Sequence, residues 1–161
     1  MKKWIKAARL RTLPLSVSGI ILGSACAYQA VPSHSKFWLI FGLCLLTTLF
    51  FQVLSNYAND YGDAVKGTDN ENRVGPQRAI QSGEITKSAM KKAIIITSVL
   101  GMLSSIAVVY FSFGKENFVQ AVIYLVLAVA CIGAAIKYTV GSSAYGYRGL
   151  GDVFVFLFFG L

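Results

Sequence analysis

Asn56, Asn59, Asp60 and Asp63 are the side chains of this chain best suited to do chemistry. Their spacing is i, i+3, i+4 and i+7, so a helix presents all four on one face. Thr48 and Gln52 carry the stripe backwards at four-residue intervals. The stripe closes an apolar run that begins near Phe37. Such groups are costly in lipid, so they turn toward a bundle interior or a wet cavity and mark function by default. Carboxylates and amide oxygens are hard ligands, and Mg2+ takes one or two carboxylates plus substrate phosphates while keeping several waters. Asp60 and Asp63 meet that demand, with Asn59 and Asn56 as further ligands or orienting groups and Asp69 just beyond.

Lys66, Arg73 and Arg78 follow closely in the chain and can neutralise phosphate oxygens, the arginines through forked donors. Together these types suggest a Mg2+-bound lipid diphosphate, its head in a wet mouth and its tail between helices. The plainer alternative is solvation, since Asp and Asn are common at helix ends. It suits Asp69, Glu71 and Glu84 at least as well, and Arg73 and Arg78 stand evenly between the two. It suits the residues from Asn56 to Asp63 less well, because four oxygen-bearing side chains share a face that runs back into the span. Lys87, Lys91 and Lys92 read as topology anchors.

The elements that must position these groups are membrane helices. The chain has 161 residues, 55% hydrophobic and only 14% charged, with mean hydropathy +0.60. Soluble domains carry about a quarter charged residues, so an ordinary soluble protein is excluded, and so is disorder. The net charge of +8 does not point to nucleic acid, because the basic residues flank apolar spans and form no continuous patch. A membrane surface explains most of the excess, and a diphosphate can use the rest. Cys26, Cys44 and Cys131 lie in apolar runs without a Cys-x-x-Cys pair, as inert reduced thiols do. His34 reads as a solvated loop residue.

The pattern predicts an all-α, multi-span bundle. Full spans run over about residues 12–31, 37–58, 93–113 and 118–136, with a fifth apolar run over 153–161 too short to cross. The basic start before Ala25-Cys26-Ala27 mimics a cleaved signal, but the apolar stretch is nearer a true span. Residues 59–92 read as a polar loop in which Pro76 opens a short helix over 77–82, closed by Gly83. Asn117 is expected to cap the fourth span. Basic residues gather at the amino end, in the loop 59–92 and after the fourth span, which places all three in the cytoplasm. The short fifth run is expected to reflect truncation.

Residues 59–63, Asn-Asp-Tyr-Gly-Asp, resemble the first aspartate-rich motif of the UbiA-type intramembrane prenyltransferases. Further blocks are similar to the branch that acts on 1,4-dihydroxy-2-naphthoate: Arg11-Thr12-Leu13-Pro14, residues 67–76 with Arg78, residues 83–86, Tyr138-Thr139-Val140-Gly141, residues 145–147 and Gly149-Leu150-Gly151-Asp152. They occur in order over essentially the whole chain. The resemblance implies a nine-helix bundle in the cytoplasmic (inner) membrane. It implies Mg2+-dependent transfer of a polyprenyl group from polyprenyl diphosphate to 1,4-dihydroxy-2-naphthoate in menaquinone biosynthesis. Asp60, Asp63, Asn59 and Asp69 would hold metal, while Asn56, Asn59, Lys66, Arg73, Arg78 and Arg11 would meet the diphosphate. Asp152 and Tyr138 would stabilise the carbocation or assist proton loss.

The chain departs from the pattern in three places. Leu10 stands where the opening motif has proline, Gly67 stands where a third aspartate is common, and the second aspartate-rich motif falls beyond residue 161. Two other classes compete: a small transporter or cation-binding subunit that uses the Asn/Asp stripe, and a non-catalytic partner of a second half-bundle. The arginines after the carboxylates discriminate, since a transporter has little use for them.

Overall fold

The computed structural model describes residues 1–31, 34–70, 75–113 and 117–157. Among them every regular element is helical. The elements are α1 (Lys2–Ala8), α2 (Leu13–Ala30), α3 (Phe37–Lys66), α4 (Lys87–Phe113), α5 (Phe118–Lys137) and α6 (Gly151–Val155). Single 3-10 turns cover Leu10–Thr12 and Tyr145–Arg148. Four helical stretches are long and apolar enough to cross a membrane: Lys2–Ala30, Phe37–Lys66, Lys87–Phe113 and Phe118–Lys137.

The helix carrying the stripe is longer than expected. It does not stop near residue 58 but runs to Lys66, where Gly67 adopts a left-handed φ of 78° and donates its amide to Asp63 O. Glycine is the residue that takes this cap without a steric penalty. At 30 residues and roughly 1.5 Å each, α3 is about 45 Å long. The hydrocarbon layer is about 30 Å thick, so α3 is longer than one perpendicular crossing needs. The acidic end of the stripe is therefore ordered helix, not loop. At the far side of the connection, α4 starts at Lys87, six residues before the expected span.

Other expectations are corrected in detail. The segment 77–82 forms successive turns instead of a helix: Ser82 N–H donates to Arg78 O, Gly83 N–H to Ile80 O and Ile85 N–H to Ala79 O. Asn117 does not cap α5 through its side chain; its amide donates back to Phe113 O at 2.9 Å. The basic amino end is a separate short helix, broken from α2 at Arg9, whose φ of 50° and ψ of 58° are left-handed. Non-glycine residues seldom sit there, and such outliers gather at functional sites.

The best-buried core lies at the carboxyl end of α3, not halfway along the helices. Leu54, Ala58 and Met90 are fully enclosed, and Ala7, Ala8, Tyr57, Ala79, Ile85 and Ile94 join them. Elsewhere large apolar side chains such as Leu22, Val126 and Trp38 face outward, as lipid-facing surfaces do. Between α3 and α4, Thr47 and Ser104 hydroxyls meet at 2.7 Å. Gly101 lets the Phe51 ring close on α4, where an added Cβ would lie 2.7 Å from it. Small and hydroxylated residues hold helices together where no hydrophobic drive exists.

Candidate active site at the carboxyl end of α3

The stripe divides. Relative to Asn56, Asp60 is turned by roughly 40° one way and Asn59 by roughly 60° the other. Asn56 and Asn59, with Thr48, Gln52 and Ser55, line a cavity of about 480 Å³. Its other walls include Ser16 and Ile20 from α2, Cys131 and Ala135 from α5, and Tyr138, Tyr145 and Phe154. Asp60 and Asp63 do not line that cavity. Asp63 meets Thr68 and Arg78, and Asp60 lies beside Arg9, Arg78 and Ile80.

A hydrogen-bonded chain fixes the polar wall. Ser16 Oγ donates to Gln52 Oε1, and Gln52 Nε2 donates to Thr12 Oγ1 at 3.0 Å. Asn56 Nδ2 donates to Ala8 O at 2.8 Å and to Thr12 Oγ1 at 3.2 Å. Both donors of the Asn56 amide are thus directed at the elbow between α1 and α2, which leaves its oxygen for a ligand. Tyr57 supports the elbow by donating to Trp4 O at 3.3 Å, ring to ring at 5.7 Å. On the opposite flank, Thr139 Oγ1 donates to Ala58 O at 3.0 Å and lies 3.3 Å from Asn59 Oδ1. Gly62 makes this approach possible, because a Cβ there would lie 2.5 Å from Thr139 Oγ1.

The carboxylates form a second cluster. Asp63 pairs with Arg78 Nη1 through Oδ2, and accepts from Tyr147 Oη and from Thr68 Oγ1 (3.2 Å) through Oδ1. Arg78 Nε reaches Asp69 Oδ2 at 3.3 Å. Asp60 is 1% exposed, desolvated, and faced by the charges of Arg78 and Arg9 and by the Ile80 backbone amide. Its Oδ1 is buried without a hydrogen-bond partner among the described residues. A buried carboxylate oxygen left unpaired costs on the order of 1–3 kcal/mol or more, so the atom calls for a ligand.

The sequence-predicted residues fare unequally. Asp60, Asp63, Asp69 and Arg78 come together in one cluster, while Asn56 and Asn59 line the cavity. Tyr138 lines the cavity. Lys66 is exposed, with Nζ 3.9 Å over the Tyr147 ring. Asp152 is exposed in α6 and does not line the cavity, and Arg11 is exposed on the elbow. Arg73 lies outside the described residues. Two site residues went unassigned in the sequence: Arg9, two positions before Arg11, and Tyr147. The Tyr145-Gly146-Tyr147 run was the available signal for the latter.

The donor set fits Mg2+. All its atoms are hard oxygens, and one of them is the unpartnered Asp60 Oδ1. No group of three or more His, Cys, Asp or Glu side chains suited to hold a metal occurs among the described residues. Mg2+ sites completed by substrate phosphates need no such cage.

The model of the UbiA prenyltransferase family matches residues 16–161. The 1,4-dihydroxy-2-naphthoate octaprenyltransferase of Haemophilus influenzae is 45% identical over 161 residues, which are 100% of this chain and 51% of that protein. The protein of the same name from Escherichia coli K12 is 46% identical over 157 residues, 98% of this chain and 49% of its own. That of Mycobacterium leprae is 35% identical over 161 residues, 99% and 50% of the two. The chain thus spans about half the length of the curated relatives it matches. No solved structure matches it.

Proposed function

This chain belongs to the UbiA prenyltransferase family, and from that membership we propose that it contributes to transfer of a polyprenyl group from polyprenyl diphosphate to 1,4-dihydroxy-2-naphthoate in menaquinone biosynthesis. The relatives' names supply the substrate classes. The observation that carries the reading is the acidic cluster beside a polar-walled cavity: Asp60 with a buried, unpartnered oxygen, and Asp63 and Asp69 joined by one arginine.

Asp60 and Asp63, with Asn59 and Asp69, would hold Mg2+, which supplies charge neutralisation on the diphosphate. Arg78 presents a fork suited to phosphate oxygens, with Lys66 and Arg11 as outer cations at the same end. Cleavage of the allylic carbon–oxygen bond places negative charge on the leaving diphosphate, and fixed cations there stabilise the transition state. The cavity between α2, α3 and α5 takes the prenyl chain and the aromatic acceptor. Tyr138 presents a ring face to the developing carbocation, and Asp152 belongs to the same connection. The amino end and both polar connections face the cytoplasm, as their basic residues direct. Arg78 within the acidic cluster favours this reading over a cation transporter.

Asp60→Ala and Asp63→Ala, made in the whole protein, are expected to abolish prenyl transfer in membranes given labelled polyprenyl diphosphate and Mg2+, while membrane insertion persists. Full activity in both variants would refute the assignment.

A further inference from the structure

We propose that Tyr147 is a positioning residue for Asp63, holding one carboxylate oxygen so that the other stays aimed at its positive partner. This rests on the reading of Asp63 as a metal ligand. Asp63 uses its two oxygens differently. Oδ1 accepts from the Tyr147 and Thr68 hydroxyls, and Oδ2 faces Arg78. A cation that replaces Arg78 at Oδ2 therefore leaves the Tyr147 bond in place. Tyr147 is a neutral donor, so it orients the carboxylate without cancelling its charge, as Arg78 does.

The fold takes trouble to deliver this hydroxyl from 84 residues away. Gly146 donates its N–H to Tyr138 O at 2.9 Å, and a Cβ at Gly146 would lie 2.7 Å from that oxygen. The 3-10 turn Tyr145–Arg148 then ends at Gly149, whose φ of 75° is left-handed. Lys66, three residues after Asp63 on the same helix, lays its Nζ over the Tyr147 ring at 3.9 Å. Ring and hydroxyl are thus both held by α3. Groups that hydrogen-bond a ligating carboxylate in this way typically change metal affinity by about 10- to 100-fold when removed.

The test reads metal binding, not turnover. Mn2+ is titrated into the full chain in detergent without prenyl substrate, and bound ion is followed by electron paramagnetic resonance. Tyr147→Phe keeps the ring under Lys66 and loses only the hydroxyl, and is expected to weaken Mn2+ binding about 10-fold or more. A ring-fluorinated tyrosine at 147 keeps the fold's contacts, alters the strength of the donor, and is expected to shift the affinity too. Affinity unchanged in both, while Asp63→Asn loses the ion, overturns the role of Tyr147 and leaves the metal assignment standing. Wild-type binding in Asp63→Asn instead overturns the metal assignment itself.

Discussion

Gly62→Ala tests whether the approach of the α5 end to α3 sets the site. An added Cβ would lie 2.5 Å from Thr139 Oγ1, 2.6 Å from Thr139 Cβ and 2.6 Å from Thr139 O. Ordinary contact needs about 3.5 Å, so α3 and the Thr139 turn must part by about 1 Å. One of the opposing atoms is backbone, so rotating a side chain does not relieve the overlap. Overpacking of this kind costs about 1–3 kcal/mol. Loss of the Thr139 bond to Ala58 O adds about 1 kcal/mol, and the better helix propensity of alanine returns about the same. The net destabilisation is about 1–3 kcal/mol. A misplacement of 1 Å at a reacting centre can cost about 100-fold in rate, and Asn59 and Asp63 flank the displaced position. Thermal unfolding in detergent and prenyl-transfer rate are the measurements. Gly101→Ala is the comparison, because its nearest neighbour at 2.7 Å is the edge of the Phe51 ring, which can turn aside. If Gly62→Ala melts within about 0.5 kcal/mol of the native protein and keeps its rate, the close approach does not govern the site.

Three further outcomes follow from the same geometry. Arg78→Ala leaves Asp63 and Asp69, whose side chains are 12% and 3% exposed, without their shared cation. It is expected to cost on the order of 3 kcal/mol in thermal unfolding, and to weaken diphosphate binding more than naphthoate binding in equilibrium titrations. Asn56→Ala strips Ala8 O of its side-chain donor and leaves Thr12 Oγ1 only the one from Gln52; it should cost about 1–2 kcal/mol, seen as faster proteolysis before Leu13. Burial, and then the hydrogen bond donated to Asp63, push the Tyr147 hydroxyl from 10.0 up to about 12. The fold thus favours the neutral phenol, and this contribution is complete below pH 10.0 and lost as pH rises through about 12. Difference ultraviolet titration of wild type against Tyr147→Phe reads it; a tyrosinate at 147 already formed near pH 10 would contradict the upward shift.

The local facts of this protein were legible in its residues. Apolar run lengths located the four crossing helices, and the i, i+3, i+4, i+7 spacing put Asn56, Asn59, Asp60 and Asp63 on one helical face, because both signals repeat within a turn or two of chain. The extension of α3 to Lys66 was encoded as well, in Gly67 after the last polar residue, but the density of charge past Ala58 read as loop. What only the packing decided was partnership. The 100° step between residues sends Asn59 to the cavity and Asp60 to Arg9, though the two are neighbours in sequence. Arg78 joins Asp63 to Asp69 because residues 78–85 run in turns beside the end of α3. Tyr147 reaches Asp63 because Gly62 and Gly146 let two backbones come close. Such contacts span tens of residues, and their geometry depends on how loops run between helices, which no short-range periodicity records.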